Sequence, residues 1–458
     1  DMALAHSFKA NPHWAPRQKK GVLDFIPGEN GLPFVGNTLR LLKDPVGFGR
    51  RMAATYGPVY RNNSFGGPNI VLLGPDANEL VLFDREKIFS SEQGWGPMLN
   101  LLFPRGLMLM DFDHHRADRK VLSVAFKPEP MRHYAEAMNA GIAAQVSTWG
   151  NRPIKFYDAI KSLTLDLAAD SFFGMPLGPE ADRINQAFVD EVQASIDPIR
   201  VPLPGTKMRR GVKAREYLIE LFGREIPKRR AGDGQDFFSQ FCRATDDSGQ
   251  PLPDAAIIDH MNFLMMAAHD TITSSATSLV MLLGRNTQWQ DRLREEVLSL
   301  GLNDAGGVPH GQLDRLVLTE YAFKEALRLI PPVPSLPRRA LKPFSFGGYD
   351  IPAGTPVGIN VGHTHRMAEL WPDPETFDPL RFTPEAVRAR HKYAWVPFGG
   401  GAHMCLGLHF ATMQMKLLIA GLLSRYRIEL DEGSGDEWQA WPIPKPRDGL
   451  PLHLIPIA

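Results

Sequence analysis

Apolar residues recur at helical spacing over 130–148, 155–173, 181–195, 208–230 and 255–285, so the chain from about 115 to 300 is predicted to be mostly helical. A further helix over 313–330 stops at Pro331-Pro332, which cannot continue it, and a last one runs over 406–425. Toward both ends the period shortens. The stretch "GPVYRNNSFGGPNIVLLG" (57–74) alternates and carries Val, Ile and Tyr, which predicts a strand pair, and short strands follow around 345–361. A Pro/Gly-punctuated segment, "IPGENGLPFVGN" (26–37), leads into the first pair. The expected fold class is mainly α, with a minor β portion drawn from both ends of the chain. The polar, Gly-containing stretches at 229–236, 243–254 and 301–312 have the length of loops rather than linkers. One domain over 26–458 is therefore expected, preceded by a polar arm over 1–25.

The 458 residues are 43% hydrophobic, enough for a large core. Acidic and basic residues balance at 51 each, which argues against a nucleic-acid partner, because binding phosphates needs a concentrated positive surface. The two cysteines, Cys242 and Cys405, are too few for a disulfide framework, a four-cysteine zinc site or a cysteine-ligated iron–sulfur cluster. The longest apolar run, "MNFLMMAAHDTITSSATSLVMLL", is broken by His269 and Asp270 and makes a poor membrane span. With no apolar leader core at the N-terminus, the expectation is a cytoplasmic protein without a transmembrane anchor.

Chemistry concentrates around Cys405, in "FGGGAHMCLG" (398–407). Three glycines allow a tight turn, and Cys405 stands just before a helical pattern, where unpaired N–H groups favour a thiolate. Gly407 would let a flat ligand lie against the backbone. A thiolate of this kind suits an iron ligand, whereas a lone cysteine is otherwise a small core residue. The glycines do not fit the dinucleotide-binding spacing.

F-G-G-G-x-x-x-C-x-G resembles the haem-binding signature of the cytochrome P-450 family, the haem-thiolate monooxygenases. The resemblance extends from "GLPFVGN" to "LPLHLIPI" and implies a single-domain fold with haem b between a long central helix and the Cys-bearing helix. It implies Cys405 as the iron ligand, with Phe398, Gly399, His403 and Gly407 around the cofactor. The family usually has Arg where this chain has His403, and a histidine there is similar to the sterol demethylase branch; its bond to a haem propionate would become pH-sensitive. In "DFDHHRADRK", His115 and Arg119 share a helix face and match propionate-binding positions, as does Arg338, with Arg339 as its rival. In "KEALRLIPP", Glu325 and Arg328 also share a face. An exposed pair at this spacing contributes only about 0–1 kcal/mol. The family's E-x-x-R, completed here by Arg381 of "FDPLRF", implies a structural triad instead.

In "AAHDTITS", Asp270 and Thr271 match the acid and alcohol that pass protons toward bound dioxygen. Ala268 stands for the common Gly and Ile272 for the common second Thr. Without the resemblance, the pair reads as satisfied polar groups in a core helix, with Thr271 bonded to the preceding turn. Substrate contacts are expected from Phe263, Leu264, Ala267 and Val333, with the apolar stretch 94–109 and the loop 201–208 nearby. The resemblance thus implies insertion of one oxygen atom from O2 into a lipophilic terpenoid, steroid or fatty-acid-like substrate. Electrons would come from a reduced nicotinamide through a ferredoxin-type donor and its reductase. Two alternatives stay open: a haem-thiolate peroxygenase or isomerase that consumes no O2, and a non-catalytic haem- or lipid-binding protein. Coupling of substrate oxidation to nicotinamide separates them from the monooxygenase.

Overall fold

The computed structural model describes residues 18–19, 21–197, 200–302 and 307–457, so most of the expected polar arm lies outside the described residues. The helices that build the site are α1 (Phe112–Leu122), α2 (Pro128–Val146), α3 (Phe156–Phe173), α4 (Pro179–Ser195), α5 (Lys207–Ala231), α6 (Asp254–Arg285), α7 (Val317–Leu329) and α8 (Leu408–Leu423). The 3.6-residue periodicity locates α2 to α6 and α8 to within about two residues, the usual uncertainty of helix ends. The expected helix at 313–330 divides into a 3-10 turn, His310–Arg315, and α7, which ends ahead of the Pro331-Pro332 pair.

Helix α6 has 32 residues, about 48 Å at 1.5 Å per residue, and every residue from Ile272 to Leu283 is buried. A helix apolar on all sides belongs inside the molecule, and the largest core cluster surrounds it with side chains of α2, α3, α5, α7 and α8. Four of its hydroxyls are satisfied within the helix: Thr271, Thr273, Ser275 and Thr277 each donate to a carbonyl one turn back, at 2.7–3.0 Å.

The main sheet contains β1 (Gly28–Glu29), β2 (Val59–Ser64), β3 (Gly67–Leu72), β4 (Phe89–Ser90), β5 (Ser335–Ala340) and β6 (Pro356–Asn360) in the order β1-β2-β3-β6-β5-β4. The predicted strand pair 57–74 is the β2–β3 hairpin, Val59 opposite Leu72. Strand β3 runs parallel to β6, with Ile70 opposite Val357, which joins the two ends of the chain in one sheet. A second sheet unites Pro153–Lys155 with Tyr426–Leu430 and Pro451–Pro456. The helix Ser91–Leu99 was not visible in the sequence, because Gly94, Gly96 and Pro97 hide its periodicity. Among the described residues no helix is long and apolar enough to cross a membrane.

Candidate haem-thiolate site

Cys405 lies in the turn between a 3-10 element, Gly401–His403, and α8, whose first helical residue is three positions further on. Its N–H donates to the Phe398 carbonyl at 2.8 Å, closing the loop, while the Phe398 ring stands edge-on to Phe323 and Trp395. The side chain is exposed rather than packed in the core, although the surrounding protein desolvates it. Burial pushes its thiol up, while the Gly407 N–H and the Arg119 charge pull the other way. A thiol at that depth becomes a thiolate when a cation binds it. Cys242 is different: it is fully buried in the main core, and desolvation pushes it up to about 12.

Two glycines of the loop have separate reasons. Gly401 has φ +60°, and a Cβ on it would lie 2.0 Å from the Leu82 carbonyl oxygen, so the protein's own backbone demands glycine. Gly407 has φ −86°, and the nearest atom to a Cβ there would be Cys405 Sγ at 3.9 Å. The chain itself does not require glycine at 407; a ligand lying on that face would. Gly401→Ala should therefore destabilise the fold by more than about 1 kcal/mol. Gly407→Ala should melt close to wild type but retain less haem; thermal unfolding and haem content of the two variants check the contrast.

His115 and Arg119 project from α1, which is held at both ends. Asp111 accepts hydrogen bonds from Ser90 Oγ and the Ser91 and Glu92 N–H groups, and Asp118 meets His260 of α6 at 2.7 Å. This places the His115 ring against the His403 ring, centroids 3.9 Å apart. Burial, then Arg119, lowers His115 to about 4; burial, then Arg338, His115 and Arg119, lowers His403 to about 2. Burial and the neighbouring cations favour the neutral form of both rings. His115 Nε2 is buried with no hydrogen-bond partner. Arg338, on β5, is 6% exposed; its hydrogen bond goes to its own neighbour's carbonyl, Pro337, at 2.9 Å, and burial lowers it to about 10 against the pull of Asp111 and Asp84. Its charge acts on both histidines, which distinguishes it from Arg339 next to it.

These features fit a haem. An accessible deep thiol, a glycine face without protein contacts, an orphaned imidazole nitrogen and a buried guanidinium without a bonded carboxylate together match an iron porphyrin with acidic side chains. Among the described residues no group of three His, Cys, Asp or Glu side chains could hold a bare metal ion.

Below the loop, Glu325 and Arg328 of α7 form a two-bond pair, both at 2.7 Å and both fully buried. Arg381 approaches the same carboxylate at 3.2 Å. Arg328 also donates to the carbonyls of His365, Pro374 and Thr376, tying α7 to the segment that precedes the cysteine loop.

On α6, Thr271 Oγ1 donates to the Ala267 carbonyl at 2.8 Å, which leaves its oxygen as an acceptor. Asp270 meets His269 Nδ1 at 3.2 Å. Burial pushes the Asp270 carboxyl up, but the His269 bond and the charges of His269, Lys161 and Lys445 outweigh it and hold the group below its ordinary value. Both residues line a cavity of about 2260 Å³, whose walls also include parts of the N-terminal segment and of the turn 438–444. Cys405 is not among the residues lining it.

Of the expected substrate contacts, Ala267 and Val333 line this cavity. Phe263 and Leu264 do not. Phe263 packs in a small cluster with Trp95, Leu99 and Leu109, and Leu264 turns about 100° away against the main core, because adjacent helical residues cannot share a face. From the stretch 94–109 the cavity takes Gly94, Trp95, Pro97, Met98, Leu99 and Met108, and near the 201–208 loop it takes Ile196 and Arg200. The lining from Phe34, Phe65, Trp441 and Ile443 had no sequence signal, since each is a single apolar residue in an irregular segment.

The family model described as Cytochrome P450 matches residues 26–442. The chain is similar to "Putative cytochrome P450 136" of Mycobacterium tuberculosis, 36% identical over 439 residues, covering 94% of this chain and 88% of that one. It is also similar to "Putative cytochrome P450 120" of Synechocystis, 31% identical and covering 94% and 97%. Among solved structures it superposes on "Retinoic acid bound cyanobacterial CYP120A1" with a TM-score of 0.85 at 30% identity, covering 94% of this chain and 99% of that one.

Proposed function

The chain belongs to the cytochrome P450 family, the haem-dependent monooxygenases, and from that premise we propose that it oxygenates a lipophilic terpenoid, steroid or fatty-acid-like molecule with electrons from a ferredoxin-type donor and its reductase. The observation that carries this reading is the meeting of an apolar cavity with a proton-handling pair. Trp95, Met98, Leu99, Met108, Leu329 and Val333 line the same space as Asp270 and Thr271. Such walls exclude water and bind by area, and the same lining also carries charged side chains, Arg61 and Arg200 among them. A cyanobacterial relative of the same fold is known with retinoic acid bound, an isoprenoid acid, which supports the substrate class.

Haem b, when bound, supplies dioxygen activation through a thiolate-ligated iron, whose electron density favours O–O cleavage. Cys405 would supply the thiolate that holds the iron, its loop fixed by the Phe398 carbonyl and the Gly407 N–H. His115, Arg119, Arg338 and His403 would hold the propionates, with Arg338 and Arg119 supplying charge and the two neutral imidazoles supplying N–H donors. Asp270, kept ionised, would collect protons from the side of Lys161 and Lys445, and Thr271 would present an oxygen to them at the cavity wall. This favours a dioxygen-consuming reaction over a peroxygenase or isomerase, which needs no such pair.

Thr271→Ala removes the hydroxyl without disturbing the helix, because among the described residues the hydroxyl bonds to the turn below and to nothing else. With a substrate found by spectral titration of a lipophilic panel, product per nicotinamide oxidised should fall roughly tenfold or more, while nicotinamide consumption continues. Unchanged coupling in the variant would remove Thr271 from the relay.

A further inference from the structure

The cavity lining takes Val192, Ser195 and Ile196 from the end of α4, together with Met266 and Ala267 of α6. Helix α4 packs broadly along α5 but meets α6 over a short stretch. In that stretch lies Glu191, 0% exposed, adjacent to the lining residue Val192. The Asn262 side chain of α6 donates Nδ2–H to Glu191 Oε1 at 2.9 Å. The other two polar atoms of the same two groups, Glu191 Oε2 and Asn262 Oδ1, are both buried without partners. Two acceptors left over in this way cannot satisfy each other, and a buried unsatisfied polar atom costs about 1–3 kcal/mol. One proton resolves both. A neutral carboxylic acid has an O–H donor, and Oε2–H to Oδ1 closes a ring of two hydrogen bonds between acid and amide.

We propose that protonated Glu191 and Asn262 form a closed acid–amide clasp that positions α4 over the substrate cavity, and that loss of the Glu191 proton to bulk base releases α4 from α6. The ionised group would set a carboxylate oxygen beside the amide oxygen, with one hydrogen bond where there were two. The charged groups facing the clasp are Arg215 of α5, Asp259 of α6 and, beyond it, Arg105. Arg215 and Asp259 pair at 2.9 Å and Arg105 reaches the other Asp259 oxygen at 3.0 Å, so the guanidinium nearest Glu191 is already bonded to a different carboxylate. In agreement, burial pushes Glu191 up to about 8, with Arg215 and Asn262 pulling down and Asp259 pushing further up. Between the ordinary value of 4.5 and about 8 the folded protein holds a proton that the unfolded chain has lost, so stability attributable to this group falls as pH rises through that window and is level above it.

Glu191→Gln is the matching variant, because its amide can donate and accept across the same ring at any pH. In the holoprotein three readouts apply: the infrared C=O band of a protonated carboxyl, hydrogen exchange of peptides from α4, and dissociation of 4-phenylimidazole from the haem followed by absorbance. The first two need no substrate, so they stand apart from the oxygenase reading; only the third rests on the cavity being the route to the haem. In wild type, the band should be present at about pH 6.5 and lost as pH passes about 8. Over the same interval α4 should lose protection, and 4-phenylimidazole should dissociate about fivefold faster or more. Glu191→Gln should lack that band, keep wild-type low-pH protection and rates at all pH values, and gain melting temperature over wild type mainly on the alkaline side. Asn262→Leu should be unprotected at every pH. The clasp is overturned if Glu191→Gln retains the wild-type pH dependence, or if no protonated-carboxyl band disappears with it. Should Glu191→Gln fail to fold, wild-type α4 protection that does not change across about pH 8 overturns it equally.

Discussion

Cys405→Ala abolishes the red-shifted Soret band that carbon monoxide produces with a reduced thiolate-ligated haem, and turnover falls to background. The effect is complete rather than graded, because no other thiol can take the position. Cys242 is fully buried in the main core, with desolvation holding its thiol at about 12. Cys242→Ser therefore keeps the band and serves as the control. The environment of Cys405 is built for ligation: the Gly407 N–H points to Sγ and Arg119 acts on it from α1, yet burial still pushes the free thiol up. Without iron the group prefers its proton; with iron the cation stabilises the thiolate. Difference spectra of the dithionite-reduced wild type and both variants decide the point. A red-shifted band surviving in Cys405→Ala would remove Cys405 from the iron.

Breaking the buried triad has the second largest effect. Glu325→Ala leaves Arg328 fully buried without its carboxylate and deprives Arg381 of the same partner. Removing one member of a buried pair costs about 3–5 kcal/mol, against a total stability of about 5–15 kcal/mol. The variant is expected to unfold at much lower denaturant and to retain little haem. Removing both partners does not restore stability, because Arg328 also satisfies the carbonyls of His365, Pro374 and Thr376. Arg328→Lys keeps the charge but loses the planar fork, and should fall between Glu325→Ala and wild type. Denaturant midpoints and haem content give the ranking. A midpoint for Glu325→Ala close to wild type would show that the triad does not hold the layer under the cysteine loop.

The same residues mark how far the sequence could be read. As an i, i+3 pair, Glu325 and Arg328 could have been a surface ion pair of little consequence; their complete burial comes from Trp371, Phe382 and neighbouring segments closing over them. Arg390, which stacks on Trp371 at 3.8 Å, belongs to that layer and had no signal at all, because a cation above a ring depends on contacts distant in sequence. The comparison between Phe263 and Leu264 is similar. Both are apolar in an apolar helix, and only the packing of neighbours on each side assigns one to the cluster near the cavity and the other to the main core.

By itself the sequence determined the helical middle of the chain, the break at Pro331-Pro332, the strand pair at 57–74 and the order of the motifs around Cys405, because periodicity, proline sterics and short spacings are local. The tertiary structure alone decided the parallel joining of β3 to β6, the contact of His115 with His403, the cavity lining from Phe34 to Ile443, and the meeting of Glu191 with Asn262. Each of these brings together residues far apart along the chain, and which distant groups meet is set by how all the helices pack at once, not by any window of sequence.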